Sequence, residues 1–200
     1  MSVRSFLFLL PLLFGACTVT DLDWPGQTQT VTVDTSQIAA AKGQGLIVQL
    51  VDRGTANRFR PVGRINGVVT WAAPDGVSVS LRDGMVVNTA GLAPDLFAAD
   101  TSGVRLADAP ASYTRVMRYL DGEDRIALRS YHCDLTDRGP RQIPFGSGMV
   151  MARQMVEDCG SSSHAFENLY FLDSDGRILG SRQWLGDGIG TIILIQQDAG

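Results

Sequence analysis

The chain has 200 residues, of which 44% are apolar and 19% are charged. This composition supports a folded domain with a hydrophobic core and leaves no room for two large domains. The 17 basic and 21 acidic residues give a formal net charge of −4. Because nucleic-acid-binding domains usually carry a basic excess, this charge argues against nucleic acid as a partner.

The N-terminus has the three parts of an export signal. Arg4 precedes an apolar run from Phe6 to Phe14, and Gly15-Ala16-Cys17 follows the run. The run is shorter than the roughly 20 residues that span a bilayer, and small residues before a cysteine are typical of bacterial lipoproteins. We therefore predict a lipoprotein signal peptide at residues 1–16, lipidation of Cys17 and a tether over residues 17–28. A plain secretory signal with an incidental cysteine is the alternative.

The residue after the predicted lipidation site bears on localisation. Thr18 stands where aspartate is the inner-membrane retention signal of enteric lipoproteins. Several acyl chains on one cysteine suffice for stable anchoring. We therefore expect a lipid-anchored protein of the cell envelope, in the outer membrane and facing the periplasm.

Residues 29–200 are predicted to form a single all-β domain with one or two short helices. A helix is expected over residues 37–42, between Ser36 and Gly43, and one helical turn over Pro94–Ala99. The other segments are short, β-rich and separated by Asp-Gly pairs, which favour tight turns between antiparallel strands. Strands are predicted at residues 46–51, 68–72, 77–82, 85–89, 113–120, 125–135, 148–157, 165–172, 178–185 and 191–196. This spacing indicates an antiparallel β-barrel or β-sandwich.

One predicted hairpin brings three arginines together. If residues 121–124 form its loop, then Leu120 lies opposite Arg125, and Arg118, Arg125 and Arg129 share a face. The core face then carries Met117, Tyr119, Ile126 and Leu128. Guanidinium groups bind carboxylates and phosphates in bidentate pairs, so the three arginines are a candidate binding site for an acidic polymer. A solvated outer face is the alternative, and a register shift of one residue would disperse the cluster.

The cysteines indicate an oxidising compartment. Lipidation of Cys17 leaves one pair, Cys133 and Cys159, which we expect to form a disulfide in an exported chain. Two separately buried thiols are the alternative. A zinc site that adds His132 and His164 would need the same thiols at loose ligand spacing, so no metal site is predicted.

No catalytic constellation is visible in the sequence. The adjacent acids at 123–124 and 157–158 would point to opposite faces of a strand, so neither pair forms a glycosidase-type site. A nucleophile motif and a glycine-rich phosphate loop are absent from the sequence as well. We therefore expect no enzymatic activity and no cofactor. Trp71 and Trp184 could stack on sugars if exposed, but we expect both in the core.

Four segments resemble the YjbF/GfcB family of lipoproteins. They are Val62–Trp71, Val79–Gly84, Tyr119–Asp124 and Ser181–Trp184, and the resemblance extends over roughly residues 44–196 and the lipidation motif. That family is encoded with capsule and exopolysaccharide export genes, and its fold is barrel-like and all-β without a described active site. The resemblance thus implies a role in the secretion or assembly of extracellular polysaccharide, and it supplies no catalytic residues.

We therefore expect a non-catalytic outer-membrane lipoprotein that binds acidic polysaccharide or a protein of the export machinery. A periplasmic carbohydrate-active enzyme and a purely structural envelope lipoprotein are the alternatives. A basic groove ending near the arginine hairpin would favour polymer binding, whereas a cleft with two converging carboxylates would favour the enzyme.

Overall fold

The computed structural model describes residues 45–101, 103–120 and 125–197, which contain twelve β-strands and two 3₁₀ turns. The strands are β1 (Gly45–Leu50), β2 (Thr55–Ile65), β3 (Val68–Ala72), β4 (Ser78–Arg82), β5 (Met85–Ala90), β6 (Leu96–Asp100), β7 (Ala111–Leu120), β8 (Ile126–Phe145), β9 (Gly148–Gly160), β10 (Ala165–Leu172), β11 (Ile178–Trp184) and β12 (Thr191–Gln197). The 3₁₀ turns are Val51–Arg53 and Leu106–Asp108.

The strands form one antiparallel sheet that curls into a nearly closed barrel. Their order is β5-β4-β3-β2-β1-β12-β11-β10-β9-β8-β7-β6, so β5 and β6 are the edge strands. The Nδ2 of Asn88, on β5, donates hydrogen bonds across this seam to the carbonyl oxygens of Phe97 (2.9 Å) and Leu96 (3.3 Å). The β2–β3, β4–β5 and β10–β11 turns lie at the end of the barrel where β1 begins, which we call the entry end.

Alternate residues of each strand fill the barrel, as the two-residue period of a strand requires. On β12, Ile192 and Leu194 belong to the interior core, whereas Ile193 between them packs in a second cluster outside the barrel wall. The predicted disulfide is present: Cys133 and Cys159 are buried, and they lie directly opposite each other on β8 and β9. It links the two strands inside the barrel.

The β8–β9 hairpin is longer than the barrel wall. A register shift between Asp137 and Pro140 separates its barrel portion from a distal portion. Ile143 and Ala152 of the distal portion pack in the second cluster with Phe171, which faces outward from β10. The distal portion therefore covers part of the outer side of the wall.

The predicted all-β fold class is confirmed, and of the two predicted architectures the structure is the barrel. The helical turn predicted at Pro94–Ala99 is wrong, because β6 begins within it at Leu96. Leu96 is fully buried opposite Tyr119 of β7, so cross-strand packing outweighs the local preference of this segment. Strand β2 was not predicted, since arginine, proline and glycine interrupt its apolar alternation.

The predicted signal peptide, Cys17, the tether and the helix at 37–42 lie outside the described residues. Within the described part of the chain, no helix has the length and apolar character that crossing a membrane requires.

Candidate functional site

A groove of about 640 Å³ opens at the entry end of the barrel. Its base is formed by buried apolar side chains: Trp71, Leu81, Leu106 and Leu172. Polar residues of the surrounding turns form its rim: Arg64, Asp83, Arg105, Asp173 and Arg177. The groove is therefore apolar at its base, and its rim carries three arginines and two aspartates.

The β4–β5 turn forms one side of the rim. Asp83 and Gly84 have φ values of 47° and 82°, and two successive positive φ angles are typical of a type I′ hairpin turn. A Cβ at position 84 would overlap the side chain of Ile178. Glycine is thus needed both for the backbone conformation and for the close approach of this turn to β11.

Arg177 of the rim is held by its own turn, between β10 and β11. Its Nε lies 2.9 Å from Asp173 Oδ2, and its Nη2 lies 3.0 Å from Asp175 Oδ2. Asp173 Oδ1 also accepts the backbone N–H groups of Asp175 (2.8 Å) and Arg177 (2.9 Å). Burial works to raise the pKa of Asp173, but these hydrogen bonds outweigh it and hold the pKa below its usual value. Asp173 is therefore ionised at neutral pH.

The other two rim arginines differ in how they are held. Arg105 pairs with Asp108 at 3.0 Å, and this hydrogen bond lowers the pKa of Asp108. Arg64, opposite Val69 in the β2–β3 hairpin, is exposed and makes no ion pair with a described residue. Arg64 is thus the rim cation that is open to an external anion.

A buried ion pair lies inside the barrel. Arg115 of β7 and Glu157 of β9 are both fully buried, and Arg115 Nη1 lies 2.7 Å from Glu157 Oε1. Tyr113 donates to the same oxygen, while Asn168 Nδ2 and the Tyr170 hydroxyl each donate to Oε2 at 2.7 Å. Burial works to raise the pKa of Glu157, but Arg115 and the three donors outweigh it and lower the pKa. The carboxylate is therefore ionised and fully hydrogen-bonded.

The interior polar residues also hold the groove rim. Gln183 of β11 donates from Nε2 to the carbonyl oxygen of Gly84 (2.8 Å), and its Oε1 accepts the backbone N–H of Val86 (2.8 Å). Arg115 Nη2 donates to the carbonyl oxygen of Val86 at 3.3 Å. The β4–β5 turn is thus tied to both β11 and β7 from inside the barrel.

The predicted arginine cluster is not assembled as expected. Leu120 pairs with Ile126, not with Arg125, so the hairpin register differs from the prediction by one residue. Arg118 lies opposite Leu128 on the outer face, whereas Arg129 lies opposite Met117 on the face that points into the barrel. Both Arg125 and Arg129 are exposed, and residues 121–124 lie outside the described part of the chain. The three arginines therefore do not share a face.

The core explains this register. Tyr113 and Met117 of β7 point inward, as do Tyr131 and Cys133 of β8. Inward residues must lie opposite one another, so Cys133 pairs with Tyr113 and the remaining pairs follow in sequence. As a consequence Ile126 and Leu128, which were predicted to be in the core, are 57% and 54% exposed on the outside.

The remaining candidate residues are distributed as follows. Trp71 is buried at the groove base, as predicted for the core, and half-buried Trp184 stacks on His164 with ring centroids 4.5 Å apart. The sulfurs of Cys133 and Cys159 are bonded to each other beside Glu157. Exposed His132 lies near Asp134, with 3.8 Å between Nε2 and Oδ1.

Sequence reasoning missed two features, namely the groove and the Arg115–Glu157 pair. A signal for the pair existed, because Glu157 stands two residues before Cys159 in one strand and so shares its face. Since Cys159 was expected to be buried in a disulfide, Glu157 could have been placed inside the barrel. For the groove no local signal exists, because its rim arginines come from separate turns.

Two comparisons with known proteins give matches. The sequence model of the family described as "Group 4 capsule polysaccharide lipoprotein gfcB, YjbF" matches residues 10–196. The crystal structure of the hypothetical lipoprotein YmcC from Escherichia coli is similar with a TM-score of 0.70 and 17% sequence identity, over 82% of this chain and 88% of that one. At this identity the structural match supports the fold alone. No curated protein sequence matches the chain.

Proposed function

This chain belongs to the group 4 capsule polysaccharide lipoprotein family, and we propose that it is a non-catalytic outer-membrane lipoprotein that assists polysaccharide export by binding acidic polymer in the groove. Membership makes it a lipoprotein of the cell envelope that is associated with capsule polysaccharide. The observation that carries the binding proposal is the combination of an apolar base and a rim with three arginines.

The shape and chemistry of the groove suit a charged sugar chain. Its volume of about 640 Å³ is typical of ligand sites, which occupy roughly 300–1,000 Å³. The apolar base beside Trp71 can accept the apolar face of a sugar ring. Carboxylates on the sugars would pair with Arg64 first, because Arg105 and Arg177 already pair with aspartates of their own turns.

The environment of Asp173 supports binding over hydrolysis. A glycosidase needs one carboxyl group that stays protonated to act as general acid. Asp173 has a lowered pKa and is held by Arg177, so it is unsuited to that role.

The position of the groove differs from the sequence-based expectation. A basic groove was expected near the Arg118–Arg129 hairpin, but β7 ends and β8 begins at the opposite end of the barrel from the groove. We therefore place the polymer contacts at Arg64, Arg105 and Arg177. The hairpin arginines Arg118, Arg125 and Arg129 remain the alternative site, and the experiment below compares the two sets directly.

The binding experiment uses polygalacturonate as a defined acidic polysaccharide and dextran as the neutral control. Replacing Arg64, Arg105 and Arg177 by glutamine should weaken polygalacturonate binding about tenfold or more, since each lost charge-assisted hydrogen bond is worth about 1.5–3 kcal/mol. The matched control replaces Arg118, Arg125 and Arg129 and removes the same charge. Loss of binding in the control alone would indicate that the polymer binds at the arginines of β7 and β8. Equal binding by all three proteins would reject polymer recognition by arginine.

A genetic experiment tests the role in export. Surface polysaccharide is measured in a deletion strain that carries the wild-type chain, Cys17→Ser or the groove variant, in which Arg64, Arg105 and Arg177 are replaced by glutamine. We expect the wild type alone to restore polysaccharide fully, because the role needs both the lipid and the groove. If the groove variant restores it as well as the wild type, the lipoprotein acts through a different surface, as binding to an export-machinery protein would predict.

A further inference from the structure

The β2–β3 hairpin projects from the barrel at the entry end. All residues from Arg60 to Gly67 are exposed, and Val62 and Ile65 are 64% and 75% exposed. Ile65 has the highest exposure of the large apolar side chains in the described part of the chain. Exposed apolar side chains that lie together can mark a contact with a membrane or a protein. The tip of this hairpin is therefore a candidate contact with an apolar phase.

The hairpin has two faces with different surroundings. Arg64, Val69 and Leu81 form a row across β2, β3 and β4 that lines the groove. The neighbouring row consists of Ile65, Val68 and Arg82, and it points away from the groove. A ligand on the outer row would leave the groove row open to polymer.

The β2–β3 hairpin carries formal charge of one sign. Residues 55–74, which include the whole hairpin, contain three arginines and neither aspartate nor glutamate, although the whole chain has a net charge of −4. Arg60 lies on the hairpin itself, and Arg82 lies opposite Val68. Such a basic and apolar surface complements anionic lipid, where arginines contact phosphate groups and apolar side chains reach the acyl boundary.

The location of the hairpin points to a membrane as well. β1 begins at the entry end and pairs with β2, so Gly45 lies beside the base of the hairpin. The lipidation site predicted for this lipoprotein family member precedes Gly45 in the sequence, so its connection to the barrel is at the entry end. A second copy fits less well, because a two-fold interface would place the same basic patch against itself.

We propose that the outer row, together with the exposed Arg60 and Val62 of β2, is a membrane-docking surface for anionic phospholipid, with Val62 and Ile65 entering the interface and Arg60 and Arg82 contacting phosphate groups. It acts as a second attachment beside the N-terminal lipid. It also fixes the orientation of the barrel, so that the groove opens close to the bilayer surface.

The test measures co-sedimentation of the mature chain with lipid vesicles. Cys17→Ser removes the lipid, so that binding reports the protein surface. The Cys17→Ser protein with an otherwise wild-type sequence should bind vesicles of phosphatidylcholine mixed with phosphatidylglycerol. It should bind vesicles of pure phosphatidylcholine much more weakly. Replacing Arg60 and Arg82 by glutamine should weaken binding about 25-fold, since each arginine near an anionic surface contributes about fivefold. Replacing Val62 and Ile65 by serine should weaken it about tenfold or more.

The matched control replaces Ile126 and Leu128 by serine, because this apolar pair is similarly exposed at the opposite end of the barrel. The control should bind like the wild type. The proposal is overturned if phosphatidylglycerol does not increase vesicle binding by the wild type. It is also overturned if the control loses as much vesicle binding as the Val62 and Ile65 variant, or if that variant binds vesicles as tightly as the wild type. Self-association that is lost with Val62 and Ile65 would also overturn it in favour of a second copy.

Polygalacturonate binding separates this proposal from the one on the groove. The Val62 and Ile65 variant keeps the groove row, so it should bind polygalacturonate as tightly as the wild type while its binding to vesicles is weakened. Loss of both activities in this variant would contradict separate faces. A failure of polymer binding in every protein, with vesicle binding intact, would reject the groove proposal and leave membrane docking in place.

Discussion

The Arg115–Glu157 pair should be a major determinant of stability. Glu157→Gln keeps the shape of the side chain and an oxygen that accepts hydrogen bonds, but it removes the negative charge. Both side chains are 0% exposed, so the guanidinium of Arg115 would remain buried without a counter-ion. Removing one partner of such a pair destabilises a protein by about 3–5 kcal/mol. Urea unfolding followed by circular dichroism at neutral pH measures this loss.

Two further variants make the interpretation specific. Adding Arg115→Met to Glu157→Gln removes the charge that would be left without a partner. The free energy of unfolding of the double variant should therefore exceed that of Glu157→Gln alone by at least about 2 kcal/mol. Arg153→Gln breaks an exposed pair with Asp137, where the side chains are 50% and 30% exposed, and should lower stability by about 1 kcal/mol or less. If Glu157→Gln is no more destabilising than Arg153→Gln, the buried pair does not hold the barrel.

The pH dependence of stability provides an independent readout of the same carboxylate. Because the pKa of Glu157 is lowered in the folded state, its contribution is fully present above the unfolded pKa near 4.5. The contribution is lost as the pH falls through the folded value. The wild type should therefore lose stability below pH 4.5 more steeply than Glu157→Gln. Parallel curves for the two proteins would show that this carboxylate is not the group that titrates.

Two smaller predictions concern the disulfide and the groove rim. Cys133→Ala combined with Cys159→Ala should lower the free energy of unfolding by about 3–4 kcal/mol, given a sequence separation of 26 residues. An unchanged mass after alkylation with and without reductant would contradict the bridge. Gly84→Ala should be more destabilising than Gly176→Ala, because both glycines have positive φ but a Cβ at Gly84 also overlaps Ile178, whereas one at Gly176 meets open space. Thermal melting compares the two, and equal losses would exclude the overlap as a cause.

Alternation within strands was the most informative sequence signal. Together with the Asp-Gly pairs that separate the segments, it predicted most of the strands. Two of these pairs form the β4–β5 and β10–β11 turns in the structure. It failed where packing decides: Leu96 is buried against β7 although its segment resembles a helical turn. Local preference is weak over such short stretches, so the partner strand determines the conformation.

The register of the β7–β8 hairpin could have been obtained from the sequence by a stricter use of the same rule. Loop length alone suggested that Leu120 pairs with Arg125. A requirement that Cys133 and Tyr113 both face the core would have shifted the pairing by one residue and separated Arg118 from Arg129. The groove could not be obtained in this way, since its rim depends on which distant turns the strand order brings to one end.

The interior polar residues explain how a groove made of turns can keep a defined shape. Turns on a barrel end are usually its most mobile parts, and a binding site gains precision when it is fixed to rigid elements. Here Gln183 binds the carbonyl oxygen of Gly84 from inside the barrel, and Arg115 binds that of Val86. Arg115 is itself held by Glu157. The buried ion pair therefore connects barrel stability to the geometry of the rim. Arg115, whose charge Glu157 neutralises in the core, also binds the strand that follows the β4–β5 turn at the groove.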